Sequence, residues 1–228
     1  MSVLISDGTA PTLVCLPSFL AGSGPHQFAR FAAALPARRR TTAVQLPGFG
    51  PGERLPRDWD TLMDSLCAAV LHAAGAGEFL LVGYSIGGVL AQGVAGRLAG
   101  TSRAPRRAGH ARHVRAGAGR RGRHLRLGDG RDPGPGSRVP VDRRRRGARD
   151  GRLPGALDGW TAEPAPVPTL LVHAQPTDGS DRWPRWQVAG TVATVAGDHF
   201  SLLQEDVKAT AAAVDAWLTG RDGRPDGR

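Results

Sequence analysis

The sequence predicts an α/β protein built on one mostly parallel sheet with helices on both faces. Short apolar runs such as TLVCL (12–16), FLLVG (79–83) and PTLLVHA (168–174) recur along the chain. Strands of that kind belong to sheets covered on both sides. Between them lie segments with apolar residues at helical spacing, so strand and helix alternate as in a parallel sheet with crossover connections. The length, 228 residues, suits one domain with a substantial core.

Each element has its own signal. TLVCL reads as a buried strand stopped by Pro17, and HQFARFAAAL (26–35) places Phe28, Phe31 and Leu35 at helical spacing. TTAVQL (41–46) reads as a second strand, closed by the turn residues of PGFGPGE. Asp58 then serves as N-cap for a helix whose Trp59, Leu62, Met63, Leu66 and Val70 share a face. FLLVG is a third buried strand, followed by a helix of small residues, IGGVLAQGVAGRLA (86–99). PTLLVHA and GTVATVAG (190–197) supply two further strands, and Val207, Ala211, Val214 and Leu218 mark the last helix. One domain over 1–219 is expected, and the apolar-free tail 220–228 is expected to be disordered.

Residues 101–155 break this pattern. They contain no Phe, Trp, Tyr or Ile and no periodic apolar face. They also hold 17 of the 30 basic residues but 4 of the 20 acidic ones, leaving 13 basic against 16 acidic elsewhere. The formal net charge of +10 is therefore a property of one segment, and it does not mark the whole chain as a nucleic-acid binder. The segment lacks interleaved aromatics and a helical basic face, so no specific nucleic-acid contact is expected. Lys208 is the one lysine, a usage typical of a GC-rich gene.

Cys15 and Cys67 fall in a predicted strand and helix, read as buried free thiols, and have no metal-ligand spacing. The apolar run APTLVCLPSFLAG has no basic stretch before it and is too short to span a bilayer. No membrane partner is expected, and the cytoplasm is the expected location.

The chemistry-bearing motif is GYSIGG (83–88), placed between a strand and a helix. It fits G-x-S-x-G in the context that pattern requires. A serine hydroxyl is a weak nucleophile and must be presented, exposed, to a base. A sharp strand-to-helix turn does so for Ser85, with Gly83 and Gly87 leaving room. The Ile86 N–H at the helix start can face the oxyanion formed when Ser85 attacks a carbonyl. Among seven histidines, His199 in VAGDHFSLLQE sits on a loop after a strand and before the last helix. That is the expected place of a base when the chain order is serine, acid, histidine. His26, His72 and His173 fall on helix or strand and read as structural.

Five segments together resemble a known family: CLPSFLAGSGPHQFARFAAAL, LPGFGPGERLP, GYSIGGVLAQGVA, PTLLVHA and VAGDHFSLLQEDVKATAAAVDAWL. They are similar to the chain-releasing thioesterase domain of modular type I polyketide synthases, over residues 10–100 and about 157–219. The resemblance implies an α/β-hydrolase fold, Ser85 as the acylated nucleophile and His199 as general base. It also implies Phe19 as the source of the second oxyanion N–H. The implied substrate is a polyketide acyl chain on the phosphopantetheine of an acyl carrier protein, released by water or by its own hydroxyl as a macrolactone. The implied partner is that carrier protein or the upstream synthase module, with no further cofactor and no metal. The leucine-rich helices that pair two such domains do not precede the first strand, so that dimer is not expected.

One departure concerns the catalytic acid. The family's aspartate ends the strand after the elbow helix, where this chain reads GHARHVRAG (109–117). Written back into codons with arginine as CGN and read one nucleotide later, the nine positions become compatible with valine, methionine or threonine, leucine, aspartate, threonine, tyrosine, alanine, proline and glycine. The aspartate codon straddles Arg112 and His113. The same shift allows methionine, glycine and tyrosine at Asp150, Gly151 and Leu153, a second family landmark. Two compensating frame changes, near 100–106 and 154–157, would explain the segment. As written, 101–155 is expected to cost the sheet a central strand, the lid its helices and the site its acid, compromising activity. Asp178, after PTLLVHA, is the candidate substitute. The alternatives are a generic serine esterase or free-standing editing thioesterase, and a non-catalytic basic binding protein.

Overall fold

The computed structural model describes residues 2–18, 23–49, 53–54, 56–112, 167–175 and 190–220. Among the described residues, seven strands form one sheet: β1 (Ser2–Ser6), β2 (Thr9–Leu16), β3 (Arg39–Val44), β4 (Phe79–Tyr84), β5 (Arg107–Arg112), β6 (Thr169–Gln175) and β7 (Thr191–Ala196). Their spatial order is β1-β3-β2-β4-β5-β6-β7. β1 is antiparallel to β3, and every other pairing is parallel. The helices are α1 (Ala29–Ala34), α2 (Trp59–Ala74), α3 (Ile86–Leu98) and α4 (Val207–Leu218), with 3₁₀ turns at Pro25–Phe28 and Ser201–Leu203.

The period-2 alternation of the strands divides the core. Leu13, Cys15, Leu80, Val82, Leu170 and Val172 face the α1/α4 side, where Phe28, Phe31, Ala211 and Trp217 cover them. Val14, Leu16, Val44, Phe79 and Leu81 face Leu62, Leu66, Val70, Leu90 and Val94 of α2 and α3. Each fully buried Leu or Phe contributes about 1.5–3 kcal/mol relative to exposure. Two layers of this size explain why nearly every strand residue of β2 and β4 is apolar. Both cysteines are buried and free. The Arg39–Asp215 ion pair, 3.2 Å long and nearly solvent-free, ties the start of β3 to α4.

The expected helix from Asp58 is present, and the Asp58 carboxylate accepts the Thr61 N–H at 2.8 Å. That bond holds the carboxyl below its ordinary range. Among the described residues no helix is long and apolar enough to cross a membrane.

Two expectations are corrected. β1 has no counterpart in the sequence reading, because SVLIS is a short edge strand with Val3 and Leu4 exposed and carries no clear alternation. The strand expected to be lost from 101–155 is present: Arg107–Arg112 sits between β4 and β6, in register with both. The physical reason is backbone pairing. The facing edges of β4 and β6 present N–H and C=O groups that must be satisfied, and any extended segment satisfies them whatever its side chains. Residues 113–166, where lid helices are expected from the resemblance, and the tail 221–228 lie outside the described residues.

Candidate active site

β4 ends at Tyr84 and α3 begins at Ile86, so the chain reverses through Ser85 alone. Ser85 has φ 58° and ψ −126°, and it is the one non-glycine residue with positive φ among the described residues. Such backbone costs about 1–3 kcal/mol, and tight packing on both sides holds it. A Cβ on Gly83 would collide with the Gly87 carbonyl and lie 2.5 Å from the Gly88 Cα. A Cβ on Gly87 would collide with the Leu16 carbonyl and lie 2.6 Å from that of Pro17. The two glycines of the motif are thus demanded by backbone contact, one within the turn and one against the loop after β2.

Ser85 is 7% exposed. A serine presented, exposed, to its base is the expectation from the motif; in the structure the residue is largely buried, and the Leu16 and Pro17 carbonyls lie against the first turn of α3. Ile86 is the first residue of α3. Its N–H is one of the four at a helix start that find no acceptor within the helix, at the positive end of the dipole.

His199 reaches this elbow through Tyr84, the residue before Ser85. The two rings stack with centroids 5.0 Å apart and planes 11° apart, and the Tyr84 hydroxyl donates to the His199 carbonyl at 2.7 Å. On its other side His199 meets Phe200 edge-on, at 5.3 Å and 73°. Burial, with the nearby Asp198 carboxylate, pushes the Tyr84 hydroxyl up to about 12, so it stays a donor at neutral pH.

The loop presenting His199 is built from its own sequence. Asp198 Oδ1 accepts the N–H groups of Phe200 and Ser201 at 2.8 and 2.9 Å, and Ser201 Oγ accepts the Asp198 N–H at 2.9 Å. This is a reciprocal Asp-x-x-Ser arrangement resembling a capping box. Gly197, at φ 116°, has no room for a Cβ against Asp206 and Ser201. Tyr84, Gly197, Asp198 and Ser201 are site-building residues that the sequence reading did not single out. The Asp-x-x-Ser spacing in GDHFS was a visible signal, whereas the partnership of Tyr84 with a residue 115 positions later was not.

Of the other predicted site residues, Phe19 and Asp178 lie outside the described residues. Buried Ser18 brings the chain to the position before Phe19, and β6 ends at Gln175, three residues short of Asp178. At the end of β5, where the resemblance expects a carboxylate, the chain carries Arg112; Ala111 is in register with Tyr84 and Arg112 with His173. His26 lies in the first 3₁₀ turn, His72 in the last turn of α2 and His173 in β6. A cavity of about 530 Å³ lies elsewhere, between the PGFGPGE turn and α2, and includes neither Ser85 nor His199. The candidate site rests on the backbone geometry of the elbow, not on that cavity.

The thioesterase-domain family matches residues 11–118, which span β2 through β5 and contain the whole elbow. Polyketide synthase GfsE of Streptomyces halstedii is 35% identical over 95% of this chain. Over residues 11–118 the chain is similar to the thioesterase-domain family. Erythronolide synthase EryA3 of Saccharopolyspora erythraea is 31% identical, also over 95% of the chain. This chain spans 6% and 7% of the length of these two synthases. Among solved structures, the NocB thioesterase domain from the nocardicin cluster superposes with a TM-score of 0.66, covering 93% of this chain and 96% of its own. At 22% identity that likeness speaks to the fold, which is that of the α/β-hydrolases.

Proposed function

We propose that this thioesterase releases a polyketide acyl chain from the phosphopantetheine of an acyl carrier protein through an acyl-Ser85 intermediate. In this reading His199 takes the Ser85 proton as Oγ attacks the thioester carbonyl. The Ile86 N–H, with that of Phe19, receives the developing oxyanion. The carbon–sulfur bond breaks, and the thiolate leaves with the proton held by His199. Water or a hydroxyl of the chain itself then attacks the acyl-serine, with His199 again as base, giving the free acid or a macrolactone. A thiol is a good leaving group, so nucleophile, base and oxyanion donors carry the reaction, and it needs no metal or cofactor of its own. The partner is the carrier protein or upstream module, and the expected location is the cytoplasm. The observation carrying this reading is the strained Ser85 turn whose neighbour holds His199 by ring and hydroxyl.

The test is incubation with an acyl-loaded carrier protein and, separately, a nitrophenyl ester, followed by mass analysis. An acyl adduct on Ser85 from the carrier at lower concentration than from the ester supports the reading; equal use of both favours the generic esterase.

A second reading has its own observation: Arg112 ends β5 where an acid is expected. We infer that the chain as written works without that carboxylate, or with Asp178 in its place, and that the frame changes explain the loss. Removing the orienting carboxylate of a serine hydrolase lowers turnover by about 10⁴-fold while the oxyanion donors retain their share. Sequencing the gene across codons 100–157 decides the origin: a single uninterrupted frame, matched by peptide masses across the segment, refutes the frame explanation.

A further inference from the structure

We propose that Tyr84 is a positioning residue that registers the His199 imidazole to Ser85, an inference resting on the reading of those two residues as base and nucleophile. His199 sits on a loop between a positive-φ glycine and a 3₁₀ turn, and a loop histidine carries rotational freedom about both its backbone and its ring. Tyr84 removes both freedoms at once. Its hydroxyl anchors the His199 carbonyl at 2.7 Å, which fixes the backbone. Its ring lies 11° from parallel with the imidazole, which fixes the ring plane.

The anchor itself is rigid. Tyr84 is the last residue of β4, 4% exposed, and part of the core shared by β2, β6 and α4. Because Tyr84 is bonded directly to Ser85, the base is measured off from the nucleophile across one peptide unit. The α4 loop need not find its own way to the site. The stack has a second consequence. When His199 takes the serine proton it becomes a cation beside an aromatic face, with the centroids inside the ~6 Å reach of a cation–π contact.

Two substitutions separate the contacts. Tyr84→Phe keeps the ring and loses the hydroxyl; Tyr84→Leu loses both. With a short acyl N-acetylcysteamine thioester as probe, Y84L is expected to lower kcat by about 100-fold with KM within about twofold. That is the size of effect a misplacement of about 1 Å produces. Y84F should recover most of that loss, staying within about tenfold of the parent. The stack is also read without turnover: the His199 ring protons should be shifted upfield in the parent and in Y84F, and lose that shift in Y84L. A folded Y84L with parental kcat, or a loss residing wholly in KM, overturns the proposal. If Y84L does not fold, Y84F carries the test: a kcat within tenfold with the ring shift retained supports it, and an absent shift overturns it. Failure of the functional reading looks different, since the parent would then form no acyl or fluorophosphonate adduct on Ser85 while the ring shift persisted.

Discussion

The two strand ends on either side of the elbow helix are specified in opposite ways. At the end of β4, residue identities are dictated by contact: Gly83 and Gly87 have no room for a Cβ, and Tyr84 reaches a partner across the chain. At the end of β5 the backbone is in register with both neighbours, although RAGHAR is not an apolar strand by composition. A sheet slot flanked by two committed strands is filled on hydrogen bonds, and side-chain identity there matters for chemistry before it matters for pairing.

That contrast can be broken from either side. The largest expected effect is a gain: Arg112→Asp should raise kcat toward the ~10⁴-fold that an orienting carboxylate supplies, with little change in melting temperature. An unchanged kcat with Asp178→Asn inactive would place the acid after β6 instead. At the β4 side, Gly87→Ala should destabilise by about 3 kcal/mol, because its Cβ meets carbonyls of a neighbouring strand end and not a flexible side chain. Denaturant unfolding measures this, and a G87A protein of parental stability would show that the turn relaxes freely.

The smallest effect is spectroscopic. Tyr84 is the one tyrosine in the chain, so tyrosinate absorbance reports on it alone. Its folded value, pushed up from 10.0 to about 12, is set first by burial and then by Asp198. A raised folded value means the native state holds the proton more tightly. Its contribution to stability is thus full below pH 10 and is lost as pH rises through about 12. Absorbance at high pH should show ionisation well above that of the denatured chain; coincident curves would remove the buried, hydroxyl-donating Tyr84 from the account.

Most of the architecture was legible in the sequence, for a physical reason. β2, β3, β4 and β6 and the helices between them carry apolar runs or helical spacing because both sheet faces are covered, whereas β7, at the sheet edge, packs only Ala193 and Val195 against the core. β1 escaped because an exposed edge strand of five residues needs no such pattern, and β5 because its pairing rests on backbone groups. Ser85 and His199 stand out as candidates in the sequence because their chemistry restricts the residue type and the motif context restricts the place, and the structure stacks His199 on Tyr84, the neighbour of Ser85. Tyr84 does not stand out in the sequence, since its role depends on a stack and a hydrogen bond that exist only once β4 and the α4 loop meet.

Whether His199 activates Ser85 at the elbow is tested most directly by fluorophosphonate labelling with peptide mapping. The predicted result is a single adduct on Ser85, forming at least about 100-fold more slowly in His199→Ala. An adduct on another residue, or equal labelling rates with and without the imidazole, would contradict it.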